Sequence, residues 1–349
     1  MSSCKTETQE QAEVPKTPDA PAAPAEPEKA DPSCVGPITG GTAETIKLGE
    51  VEWELNGSTL KRKSPLKGDT LTIGALTDIK ENTEENLSNL EAIVKWFGEK
   101  AVDLIVVAGD TGENRAQIEK ALAVIATSNV PVLNIIGNRE GKSDHRKAMV
   151  ALRAKHGNIF DLNVVRRVDT QAADIISMPG YYNPSYIHTD DGCPYFEADL
   201  KELEELAGNC DSPAILVSHG GPRQEGKEAI DRTAEGANVG DPGLAKVIAA
   251  AKIPFGIFGN IHEAGGRATD LSGKIRLEKG KPHDALYLNP GPADGVRWGM
   301  NDGTESRGMA GLMTIAGGEA SYEIYRIGDG KVAQRGNKQK RKKKGKKKK

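Results

Sequence analysis

The chain has 349 residues with 47 basic and 50 acidic side chains, and its formal charge of -3 conceals a split: residues 335–349 carry eleven positive charges and no acid, which leaves -14 on residues 1–334. An apolar fraction of 37% fills a large α/β core, but no apolar run approaches the roughly 18 residues that cross a bilayer, so the sequence offers no transmembrane helix. None of the four cysteines stands at metal-ligand spacing from another.

Residues 1–36 are dominated by Pro, Ala, Glu, Lys and Thr with almost no branched apolar side chain, too little to offset ordering entropy, and read as a disordered tether. Its start, Met1-Ser2-Ser3-Cys4 before an acidic Pro/Ala-rich spacer, resembles the beginning of a mature bacterial lipoprotein. That resemblance implies lipid attachment at Cys4, a leader encoded upstream of Met1 and a place in the cell envelope, periplasm or outer membrane; the alternative is a cytoplasmic protein in which Cys4 is an exposed thiol. A folded domain is expected over 37–334. The Lys-rich tail at 335–349 reads as disordered, either solvated or contacting an anionic surface or polyanion, and without aromatics it would touch phosphates rather than bases.

Within the domain, alternation over 46–55 predicts an edge strand with one wet face. Residues 71–77 form the first apolar strand, and Leu87, Leu90, Ile93, Val94 and Phe97 then recur at helical spacing behind the caps Asn82 and Thr83. Five apolar residues at 104–108 read as a strand buried on both faces, the pattern of a parallel sheet. A helix at 116–126, a strand at 130–136 and a helix at 143–156 continue a βαβ order. A short strand at 173–178 precedes a long loop at 180–195 with four tyrosines. A helix at 196–207, a strand at 214–218, a helix at 244–251 and a strand at 254–258 follow. From 285 onward only strands are expected, at 285–288, 311–316 and 320–327, which suggests a second sheet packed on the first. Cys193 and Cys210 flank the 196–207 helix and are placed to pair in an oxidising compartment, a pairing that spacing alone does not fix; Cys34 falls in the tether.

The strands end on chemistry. Asp78, Asp110, Asn138, His219 and the pair Asn260 and His262 each follow an apolar strand, and turns after parallel strands gather along one edge of a sheet. Taken singly, a strand-terminal Asp is more often a cap, an Asn after Gly a turn former, and a lone His a satisfied partner. Together they form an oxygen and imidazole set suited to divalent metals such as Mn, Fe or Zn.

These ends resemble the calcineurin-like metallophosphoesterases over about residues 70–327. The resemblance rests on Leu76-Thr77-Asp78-Ile79-Lys80, Ala108-Gly109-Asp110, Ile136-Gly137-Asn138-Arg139-Glu140, Ser218-His219-Gly220-Gly221-Pro222, Phe258-Gly259-Asn260-Ile261-His262 and Leu288-Asn289-Pro290-Gly291. It implies an αββα sandwich of two packed mixed sheets with two divalent cations at the strand ends, roughly 3.5 to 4 Å apart; the departures below leave one or two. It also implies that Asp78 and His262 serve a first metal, that Asp110 bridges, and that Asn138 and His219 hold a second, with a shared water attacking a phosphate mono- or diester.

Three departures touch that chemistry. Lys80 stands for the His of an Asp-x-His, and an ammonium is no metal ligand while protonated. Arg139 stands for the His after Gly-Asn; it can clamp phosphoryl oxygens but cannot act as an acid. Asn260 stands for the first His of a Gly-His-x-His and weakens the second site. Two functions follow: a phosphoesterase with altered or single-metal occupancy in which Asp110, Arg139 and Lys80 do the catalytic work, or an impaired binding or scaffold domain with Lys80 and Arg139 as a metal-free anion pocket. The loop at 181–193 and the segment at 223–240 are expected to shape the mouth.

Overall fold

The computed structural model describes residues 34–328, so Cys4, most of the expected tether and the Lys-rich tail lie outside the described residues. The domain opens on a hairpin of β1 (Glu44–Leu48) and β2 (Val51–Asn56). The single edge strand expected over 46–55 is thereby corrected to two strands, because Gly49, at a φ of +59°, takes the left-handed conformation that turns the chain back on itself. A third strand, β3 (Thr59–Arg62), pairs antiparallel with β2 and was not expected.

Next come β4 (Thr70–Leu76), α1 (Glu84–Glu99), β5 (Leu104–Ala108), α2 (Arg115–Ala126), β6 (Val132–Ile135), α3 (Lys142–His156) and β7 (Ile159–Asp161). The four strands of this run are parallel neighbours, as the unbroken apolar run of β5 requires. Thr83 and Asn114 accept hydrogen bonds from Asn86 N–H and Gln117 N–H and so start α1 and α2. The chain then passes through β8 (Arg167–Asp169), β9 (Asp174–Met178), α4 (Glu197–Gly208), β10 (Ala214–Ser218), α5 (Pro242–Ala250), β11 (Phe255–Ile257), β12 (Arg267–Thr269) and β13 (Leu286–Asn289). A two-stranded ribbon, β14 (Trp298–Gly299) with β15 (Glu305–Ser306), precedes the long hairpin of β16 (Met309–Ala316) and β17 (Glu319–Arg326).

Two mixed sheets result: nine strands in the order β1-β2-β3-β8-β9-β10-β11-β13-β12, and six in the order β17-β16-β4-β5-β6-β7. The late strands do not make a sheet of their own. β13 joins β11 in the larger sheet and β16 joins β4 in the smaller, because each completes the edge of a parallel run laid down earlier.

Period-two alternation sorts the side chains into three layers. Leu104, Val106 and Ala108 face Ile215, Val217, Phe255 and Leu288 of the other sheet. Ile105 and Val107 face Leu90, Ile93 and Phe97 of α1 and Ile118, Leu122 and Ile125 of α2. Leu216 and Ile176 face Leu203 of α4 and Leu244 of α5. The fold is therefore an αββα sandwich. Each fully buried Leu, Ile or Phe in these layers contributes about 2 kcal/mol.

The tether reading fails at its last three residues. Cys34 is bonded to Cys193, their Cα atoms 5.3 Å apart, and Gly36 N–H donates to the Asn163 carbonyl at 2.7 Å. The pairing of Cys193 with Cys210 is not formed: Cys210 follows the end of α4, its Sγ by the Leu206 carbonyl, and carries a free thiol. No helix among the described residues is long and apolar enough to cross a membrane.

Candidate metal centre

The turns after β4, β5, β6, β10 and β11 gather at one rim, where the backbone leaves ordinary conformations. Asp78, Lys80, Asp110 and Asn260 all have left-handed φ, between 53° and 65°. Non-glycine residues are held there only where surrounding structure over-determines them, and such residues cluster at functional sites. Two glycines make the room. Gly109 has a φ of +84°, and a Cβ on it would lie 2.7 Å from His219 Nδ1. A Cβ on Gly137 would lie 2.4 Å from Asp110 Oδ1.

His219 directly follows β10 and is fully buried. Its Nδ1–H donates to the Ala108 carbonyl at 2.8 Å, which aims Nε2 at Asn138 Oδ1, 3.1 Å away, and Asp110 Oδ1, 3.2 Å away. Asn138 turns its oxygen inward because its Nδ2 donates to the Tyr186 carbonyl at 2.7 Å. Asp110 Oδ1 also accepts the backbone N–H groups of Asn138 and Arg139, each at 3.1 Å. Two oxygens thus converge on a ring nitrogen whose partner nitrogen holds the hydrogen, and such a point needs either a proton or a cation. Ligand atoms of Asp78, Asp110 and His219 lie within 4.8 Å of one another. This donor set fits a divalent metal.

Asp78 is closed in on its other side. Its Oδ1 accepts from His262 Nε2 at 2.9 Å, and its Oδ2 accepts from Thr77 Oγ1 at 2.9 Å and from Asn260 N–H at 3.0 Å. The Asn260 amide Nδ2 is turned away to donate to the Tyr181 hydroxyl at 2.8 Å. Lys80 Nζ donates to Asp294 Oδ2 at 2.7 Å and lies 4.5 Å from the centre of the Trp298 ring, whose Nε1–H donates to Asp294 Oδ1 at 2.9 Å. Arg139 pairs with Glu113, and its Nε is 3.6 Å from Asp110 Oδ2.

The electrostatics follow from these contacts. Burial by itself lowers an imidazole, but the Asp110 carboxylate against His219, with Asp78, raises it to about 9. Burial by itself raises the Asp78 carboxyl, yet His262, His219 and Lys80 together hold it well below the usual carboxylate range. Glu140 accepts Thr111 N–H and Gly137 N–H, bracing the turns that carry Asp110 and Asn138; burial and the neighbouring Asp110 charge push it up to about 7.

All the residues expected from the sequence therefore meet at this rim, directly or through one partner. The 181–193 loop reaches it through Tyr181 and Tyr186, and the 223–240 segment approaches the His262 turn through Ala234 N–H, which donates to Glu263 Oε1 at 2.8 Å. Sequence reasoning missed Asp294, Trp298, Glu113 and Glu140. Asp294 lies five residues past β13, so the strand-end rule that found the others would have reached it if extended along the turn.

A family model described as calcineurin-like phosphoesterase matches residues 71–264, more than half of the chain. No curated protein matches the chain in sequence. One solved structure, 13% identical, is covered over 100% of its length by 74% of this chain at a TM-score of 0.55, which shows a shared fold. A dimetal phosphatase from Danio rerio is 13% identical, with 74% of this chain and 99% of that one covered at a TM-score of 0.44. The purple acid phosphatase PPD1 from yellow lupin (Lupinus luteus) seeds is 12% identical, with 80% of this chain and 55% of that one covered at a TM-score of 0.47.

Proposed function

The chain belongs to the calcineurin-like phosphoesterase family, and from that membership we propose that it hydrolyses a phosphate mono- or diester with a divalent cation, Mn, Fe or Zn, held by Asp110, Asn138 and His219 with Asp78 beside them. The observation that carries this reading is the convergence of Asn138 Oδ1 and Asp110 Oδ1 on His219 Nε2 at 3.1 and 3.2 Å. A cation bound there supplies Lewis-acid polarisation of a phosphoryl oxygen and lowers the pKa of water.

The chain's own residues orient and neutralise. Asp110 is fixed by two backbone N–H groups, so its carboxylate does not reorganise when a substrate binds. Arg139, about a quarter exposed and anchored by Glu113, stands beside Asp110 with guanidinium donors for the phosphoryl oxygens. It cannot protonate a leaving oxygen, so substrates whose leaving group has a low pKa are favoured. Lys80 contributes a fixed positive charge toward Asp78 rather than a free ammonium. The alternative of a metal-free anion pocket is not favoured, because Lys80, the buried one of its two cations, is already paired with Asp294.

The test is elemental analysis of the purified protein with turnover of an aryl phosphodiester and monoester. Bound divalent metal and hydrolysis that falls about a thousandfold in Asp110→Asn are expected, the several kcal/mol such a cation supplies. Hydrolysis unchanged in Asp110→Asn, or protein that takes up no metal, would overturn the proposal.

A further inference from the structure

Two ligand groups share the rim, and they are not alike. In the first, His219 Nε2 meets only oxygens, those of Asn138 and Asp110. In the second, Asp78, Lys80 and Asp294 already have partners inside the protein. Asp78 takes hydrogen bonds on both oxygens, from His262 Nε2 on one and from Thr77 Oγ1 and Asn260 N–H on the other. The His262 ring packs on Trp298 with centroids 4.2 Å apart, and the same indole covers the Lys80 ammonium. Lys80 and Asp294 are 6% and 1% exposed at the side chain, so their charges are screened by little water.

The backbone makes this arrangement rigid. Lys80 N–H donates to the Asp110 carbonyl at 2.9 Å, Ala293 N–H to the Thr77 carbonyl at 3.0 Å and Asp294 N–H to the Asp78 carbonyl at 3.3 Å. The 293–294 segment is thus laced to the turn that carries Asp78, with the buried ion pair clamped between them. A divalent cation at Asp78 and His262 would have to displace the hydrogen bond between them and sit near a buried ammonium of like charge.

We propose that this rim holds a single divalent cation, at Asp110, Asn138 and His219 with Asp78 beside it, and that Lys80, fixed by Asp294 and Trp298, closes the position by His262 to a second. His262 is then a positioning residue that orients Asp78, not a ligand. The inference rests on the metal-centre reading given under Proposed function.

The full chain is dialysed against Mn2+ and then metal-free buffer, and manganese per chain is measured with the electron paramagnetic resonance spectrum. One equivalent with the six-line spectrum of an isolated ion is expected. Two equivalents with an exchange-coupled spectrum would overturn this proposal and leave the metal-centre reading standing; no uptake of Mn2+ or Zn2+ would overturn both. His262→Gln should keep its one equivalent and His219→Ala should lose it; loss from His262→Gln would make His262 a ligand and overturn its assignment. Lys80→His combined with Asp294→Asn, which leaves no buried carboxylate unpaired, should raise the count from one to two. A count that stays at one in that variant would overturn the part given to Lys80.

Discussion

His219 is the side chain on which a proton and a metal compete. Without a cation, its proton bridges to Asp110 and Asn138, and the imidazole titrates at about 9 rather than its ordinary 6.5. A raised pKa of this kind adds stability that is complete below about 6.5 and lost as pH climbs through about 9. Metal uptake releases that proton, so Mn2+ affinity should rise with pH, by at most about tenfold per unit, and level off near 9. Calorimetric titration across that range checks it, and a flat profile would remove His219 from the ligands. The buried pair of Lys80 and Asp294 adds to stability separately. Lys80→Met strands the Asp294 carboxylate and should cost about 3–5 kcal/mol in urea denaturation, most of it recovered by adding Asp294→Leu. Asp78, Asp110, Asn138 and His219 were legible in the sequence because each closely follows an apolar run, and His262 because it shares a turn with Asn260. The partner of Lys80 was not, since 214 residues separate it from Asp294 and only the folded sheet joins them.

At the scale of elements, the rim depends on turns tight enough to bring five strand ends together. Gly137 is one such tight point, with no room for a Cβ beside Asp110 Oδ1. Gly137→Ala should leave secondary structure intact by circular dichroism while displacing Asp110 by a fraction of an ångström. A misplacement of about 1 Å costs about a hundredfold in rate, so a loss of up to that size is expected. Turnover equal to the parent protein would show that the turn does not set the geometry. The long parallel strands could be read directly, because burial on both faces writes a continuous apolar run in β5 and β10. β7, β8 and β12 could not: three residues each carry no periodicity, and they exist because longer neighbours offer an open edge. Chain order misassigned β16 for a related reason. It comes after β13 and the β14–β15 ribbon in sequence, yet its register runs Gly311 opposite Ala75 and Ala316 opposite Thr70, against the first strand of the parallel run.

At the scale of the whole molecule, one covalent link ties a remote stretch of chain to the rim. Cys34 and Cys193 are 159 residues apart in sequence, and Cys193 closes the loop whose Tyr186 carbonyl orients the Asn138 amide and whose Tyr181 hydroxyl takes the Asn260 amide. A bond of this kind persists in an oxidising compartment. Two consequences separate by measurement. Closing so long a loop restricts the unfolded chain, so Cys34→Ser should lower stability by about 2–5 kcal/mol in denaturant unfolding. Asn138 would also lose a braced partner, and supports of metal ligands are worth about tenfold or more in affinity, so the same variant should bind Mn2+ correspondingly more weakly while still folded. Loss of stability with affinity untouched would mean that the link staples the domain without holding the loop to the metal centre. Loss of affinity reproduced by reductant and reversed by reoxidation would mean that the redox state of the compartment reaches Asn138 through the backbone of Tyr186.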